Sequence, residues 1–367
     1  MKQRLVKVAS CSLACLMFIM QPVVSALAVT ITIGKGTGIL WEGLPFNKTL
    51  SGTMGTDKFN RSFGLLAVST NANRCMSNNE LKNIGGYMAI PISGMTGVGL
   101  IPRSTGVATY TRYNNTQQTL NGTIGLPETK GFTSESSNII SAGSNVWCLP
   151  PQMSNQSEFY SASGPRKATL SGSWALVADG TQQTGQGTLP AVYFGSYSLV
   201  PSGDQKDVIL PSSINLRVST LECNVSTPTT INFGSVIRST KVGTEMALMP
   251  VQLVASCGQD SDRINANINL QFRAISGLYN SEPSRLALNQ GGGYITGEIN
   301  GGVTGSGNCG ATTGLKFDNT AIKLGSITSA ESSKTLSNQV IWRLCSGGSI
   351  LPTGAVSASA EMLVTFN

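Results

Sequence analysis

The chain has 367 residues, a net charge of +7, 12% charged side chains, 40% apolar residues and 42 glycines. It contains no histidine, which excludes Ser-His-Asp and Cys-His catalysis and the usual imidazole metal ligands. The apolar content is ample for packed cores, so intrinsic disorder is excluded, and with no basic run there is no basis for nucleic-acid binding.

Residues 1–28 read as a secretory signal peptide. Lys2, Arg4 and Lys7 form a basic start, an apolar run continues through Met20, and Ala26-Leu27-Ala28 gives a small-x-small cleavage site ahead of Val29. The apolar run is short for a membrane span. Beyond Ala28 there is enough chain for two ordinary domains. Short alternating runs recur between Gly, Pro and Asn punctuation and long helical periodicity is absent, so the expected fold class is all-β.

The first domain is expected over 29–210, with strands such as Val29–Ile33, Tyr87–Ile90 and Trp174–Val177. Sugar recognition needs an aromatic face with amide and hydroxyl partners around it. The densest cluster of that kind runs from Tyr110 to Gln117. On a strand, Tyr110 and Arg112 would share one face while Tyr113 and Asn115 take the other. These four residues and Trp41 are the receptor-binding candidates. Trp147, beside Cys148, reads as packing on a disulfide, and Trp174, in an apolar alternation, reads as core. Glu128, Glu135, Glu158 and Asp179 stand without motif context, so neither catalysis nor a cofactor is expected. Residues 29–217 hold 13 Lys/Arg and 9 Asp/Glu, whereas 218–367 hold 9 of each, a weak hint of an acidic ligand for the first domain.

Six cysteines lie beyond the signal segment: Cys75, Cys148, Cys223, Cys257, Cys309 and Cys345. An even number in an exported chain points to disulfides. With two in the first domain and four in the second, Cys75 pairs with Cys148. The other four allow three pairings, of which Cys223–Cys257 with Cys309–Cys345 closes loops of similar length. Turn-rich stretches around Pro201 and Pro211 place the domain boundary near 205–220, and we divide the chain at 210/211. In the second domain, Ile264, Ala266, Ile268, Leu270, Phe272 and Ala274 alternate with Asn265, Asn267, Asn269, Gln271 and Arg273, a half-solvated antiparallel strand.

The chain closes on Gly354, Val356, Ala358, Ala360, Met362, Val364 and Phe366, alternating with mostly polar residues up to Asn367. Leu363 alone breaks the pattern. This stretch resembles the C-terminal signature of subunits assembled by the chaperone–usher pathway, with a penultimate aromatic at Phe366 and a glycine fourteenth from the end at Gly354. Thr230–Val236 is similar to that family's second strand segment. The resemblance implies an incomplete immunoglobulin-like pilin domain over 211–367, whose missing strand is lent by a periplasmic chaperone beside 354–367 and later by the next pilus subunit at the outer-membrane usher. A domain ahead of the pilin, in place of a donor extension, is the arrangement of a two-domain tip adhesin. The first domain would then be a lectin-like β-sandwich for a host glycan or glycolipid, exposed on the fimbrium at the bacterial surface. The rival readings are an adaptor subunit that initiates assembly without binding a receptor, and a secreted β-sandwich hydrolase.

Overall fold

Strands in this chain form where alternation lets one face enter a core, and they part into sheets where the buried face changes hands. A computed structural model describes residues 29–53, 64–150, 161, 164–197, 202–203 and 205–367. The signal segment 1–28 and Glu158 lie outside the described residues. Helix among them is confined to two short 3₁₀ turns, Asn78–Glu80 and Tyr279–Ser281, and the fold is all-β.

Two separate sets of sheets carry two sets of apolar clusters. The spine of the first is a trio of long strands, with Pro165–Asp179 between Thr37–Thr53 and Val98–Thr111 in antiparallel register. A second sheet, ordered 148–149, 66–69, 192–195 and 206–210, covers it. Alternation along 165–179 buries Arg166, Ala168 and Leu170, and from Trp174 onward every residue to Ala178 is buried. Trp174 is fully enclosed, donates its indole N–H to the Ile209 carbonyl at 3.3 Å and packs against Phe46.

Thr30–Ile33 pairs in parallel with Asn215–Val218, whose other edge takes Gly185–Thr188. Ile214, Leu216 and Val218 therefore join the first core, and the next cluster begins at Leu221. The break between cores thus falls after Val218 and not at 210. The turn residues near 201–213 lie inside the first unit, because the alternating run C-terminal to them is claimed by the N-terminal strand.

The second set is a sandwich. One sheet runs 222–226, 245–258, 333–346, 293–299 and 286–287, and the other runs Ile322–Ile327, Ala266–Ala274 and Ala360–Phe366. Disulfides join Cys75 to Cys148, Cys223 to Cys257 and Cys309 to Cys345. Cys223 and Cys257 stand opposite each other on paired strands.

Trp174→Ala should lower the unfolding free energy of the first domain by about 3–5 kcal/mol, since the cavity left among the long strands cannot collapse. Urea titration followed by near-ultraviolet circular dichroism measures this.

Candidate functional site

The strand 360–366 has one hydrogen-bonded neighbour, 266–274, in the register Ile268↔Phe366 to Ala274↔Ala360. Asn267 and Asn367 exchange both backbone hydrogen bonds, at 2.7 and 3.3 Å. Antiparallel pairing then makes 269/365, 271/363 and 273/361 the bonded pairs as well. The N–H and C=O groups of Ala360, Met362, Val364 and Phe366 point the other way, to an edge that no described strand occupies. The Asn367 carboxamide oxygen accepts from the side chains of Asn267 and Asn269, both at 3.1 Å, and fastens the end of the strand.

The core under this edge is half open. Val356, Ala358, Met362 and Val364 pack on it but remain partly exposed, as do Phe233, Met246, Val251 and Trp342. In that cluster 15 buried residues are accompanied by 14 half-buried apolar ones, against 38 and 7 in the first core. Residues 227–240, expected to contribute a strand at 230–236, lie outside any sheet and make no backbone hydrogen bond to another strand among the described residues. A β-capable run without a partner cannot form a ladder. Phe233 nevertheless rests on the same core, while Ile237 is 93% exposed. A bare strand edge and an unpaired apolar segment thus flank one open stretch of core.

The odd-numbered face of the terminal strand meets the first domain. Glu361 pairs with Arg273 and lies 3.7 Å from Arg103. Arg103 also holds Glu42 at 3.1 Å, and the buried Glu42 carboxylate accepts from Ser173 at 2.8 Å and from Asn319 at 3.0 Å. Gln271 reaches the Glu42 carbonyl at 3.4 Å. Burial and the neighbouring Arg103 guanidinium both disfavour charge on Arg273, and Glu42 opposes them. Leu363, the breach in the alternation, is half-buried on this face between Glu361 and the buried Thr365. The polar face of 264–274, expected to be solvated, is in part an interdomain contact: Asn269 and Gln271 are buried. Sequence reasoning missed Glu42, Arg103 and Gln271, which carry no local signal.

The receptor candidates do not form one surface. Tyr110 is fully buried, and burial pushes its phenol above the ordinary range. Arg112 is buried too, paired with Glu135 and bonded to Gln118 at 3.2 Å. Both face inward because their parity on the 98–111 strand continues that of the buried Ala108. Tyr113 is 40% exposed and Asn115 sits in a turn at φ 64°. Trp41 lies half-buried against the first core, away from that turn, in register with Leu176. An aromatic platform spanning Tyr110 and Arg112 is therefore not available at the surface. Glu128 is exposed, and Asp179 accepts from the Thr181 hydroxyl and amide, which hold its carboxyl below the usual range.

No protein-family model matches the chain, and no curated protein matches it. Solved structures similar to it include a chain from a chaperone–tip adhesin complex of CFA/I fimbriae, with 12% identity, 92% of this chain and 94% of that chain covered, and a TM-score of 0.26. The CupB6 tip adhesin from Pseudomonas aeruginosa aligns at 12% identity over 90% of this chain and 87% of its own, with a TM-score of 0.26. A mutant of the CFA/I adhesin CfaE from enterotoxigenic E. coli aligns at 8% identity over 91% and 96%, with a TM-score of 0.21. Superposition at this level is loose, and the functional reading rests on this chain's own residues.

Glu42→Ala should destabilise the joint between the domains by about 3 kcal/mol, at the low end for a broken buried ion pair because Arg103 keeps Glu361 nearby. Calorimetry of the full chain would show this as a lower first transition, with the charge-preserving Glu42→Asp variant losing less.

Proposed function

We propose that this protein is a fimbrial tip adhesin whose second domain completes its fold with a strand from another chain. The observation that carries the reading is the one-sided pairing of 360–366 over a half-open core. A strand laid between that edge and residues 227–240 would meet the outward backbone groups of 360, 362, 364 and 366. Each such hydrogen bond contributes about 0.5–1.5 kcal/mol net. It would also cover half-exposed Val, Met and Phe side chains, each contributing roughly 1 kcal/mol or more. The sum rivals the whole stability of an ordinary domain, about 5–15 kcal/mol, so the unpaired form is poorly suited to persist alone.

The partners that fit are those of β-strand addition. A periplasmic chaperone lends the strand first, and the next pilus subunit replaces it at the outer-membrane usher. The terminal residues Gly354, Val356, Ala358, Ala360, Met362, Val364, Phe366 and Asn367 form the acceptor. Thr30–Ile33, the alternating run ahead of the first domain, is already bonded to 215–218 within its own chain and is not displayed as a donor. That supports a subunit which accepts a strand without giving one, at the distal end of the fimbrium. The first domain, over roughly 29–218, is then the receptor-binding unit, and its partner is a host glycan or glycolipid.

Periplasmic expression with and without the cognate chaperone tests the reading. Soluble monomer should depend on co-expression, and Val364→Asp, which places a charge in the slot, should weaken the chaperone complex roughly a hundredfold, as burial of an unpaired carboxylate demands. A stable monomer without any donated strand would contradict it.

A further inference from the structure

Strand 98–111 changes partners partway along its length. Its first part is bonded to Tyr87–Pro91 through Leu100 and Gly99, and its second part to Gln117–Gly125 from Arg103 onward. Ile101 faces the gap between these two partners, and a cavity of about 400 Å3 opens there, within the size range of small-ligand sites. Ile101, Leu81 and Trp147 are its most enclosed apolar members, 4%, 5% and 5% exposed, while Met88 and Ile140 stand at the rim, 45% and 60% exposed.

Two hydroxyls lie in the same wall. Thr129 accepts the Gly125 N–H at 3.0 Å, and Ser141 accepts the Cys148 N–H at 3.1 Å. Neither donates a hydrogen bond among the described residues, so each retains an O–H for a ligand oxygen. Among the described residues, no lysine, arginine or carboxylate lines the cavity. A charged ligand would find no counter-charge there, and burying it unpaired would be unfavourable.

Trp147 adds an independent mark. Its φ of 50° lies in the left-handed region that bulky side chains rarely adopt. The conformation is held on both sides: its carbonyl accepts the Val68 N–H at 2.9 Å, and Cys148 is tied to Cys75. Backbone outliers that the surroundings enforce cluster at binding sites.

We propose that this cavity binds an uncharged sugar residue carrying an apolar substituent, such as the methyl of an N-acetyl or 6-deoxy group. The apolar group rests on Ile101 and Trp147, and the Thr129 and Ser141 hydroxyls donate to ring or hydroxyl oxygens. This site rests on the receptor-binding reading above and refines it.

The test is an array of glycans ending in N-acetylhexosamine or fucose, alongside sialylated and sulfated counterparts, probed with the full chain co-purified with its chaperone from the periplasm. Binding to uncharged probes is expected, with a change in tryptophan fluorescence. Ile140→Glu and Met88→Glu, both at exposed positions that leave the fold intact, should each weaken it at least about tenfold, as a charge does where the bound ligand's apolar group would cover it. Binding confined to sialylated or sulfated probes, or unchanged in Ile140→Glu, would overturn the proposal. Adhesion to host cells without any glycan binding would overturn this site and the glycan partner and leave the tip-adhesin reading standing. Loss of both glycan binding and adhesion in the unmodified chain would overturn the two together.

Discussion

A β-strand carries hydrogen-bonding groups on both edges, and the strand 360–366 uses one edge only. The rest of the second domain is shaped by that constraint. With the other edge bare, residues 227–240 have no ladder to join, and the apolar side chains between them remain half covered. Exposed edges of this kind recruit strands from other chains unless they are blocked. Here neither charge nor proline blocks the edge: Ala360, Met362, Val364 and Phe366 present their backbone outward, and the last three turn their side chains to the core.

The same strand is also part of the joint between the domains. Met362, Val364 and Phe366 lie over the core, while Glu361 on the odd face enters the network of Arg103, Arg273 and Glu42. Phe366 lies close to Gly34, where the N-terminal strand has just left its pairing with 215–218. A Cβ at Gly34 would collide with the Leu221 carbonyl, so only glycine fits this crossing. The element with the open edge is therefore anchored on the first domain at both ends, through Glu361 and through Phe366.

Much of this was legible in the chain. The alternation gives a terminal strand, although it forms only over 360–366 and leaves Gly354, Val356 and Ala358 outside it, and the cysteine spacing leaves three pairings open in the second domain, of which the one that closes loops of similar length is found. What escaped depends on distant partners. Tyr110 and Arg112 read as a polar, aromatic surface, yet their parity on a long strand turns them inward. The Asn and Gln side chains of 264–274 suggested solvent, but Asn269 and Gln271 face another domain or the strand end, which no local pattern encodes. The boundary at 210 rested on turn chemistry and missed that Leu216 and Val218 pair with a strand more than 180 residues earlier. The cavity at Ile101 arises from a change of strand partners, a property of sheet topology alone.

Amide hydrogen exchange of the full chain, pulsed directly after release from its co-expressed chaperone and again bound to its donated strand, addresses the central claim most directly. In the chain alone, the amides of 362, 364 and 366 should exchange quickly while those of 361, 363 and 365 are protected, and residues 227–240 should exchange throughout. Strand addition should slow the even-numbered amides and part of 227–240. Equal protection of odd and even amides in the chain alone would show that this edge is already paired, and would contradict the account.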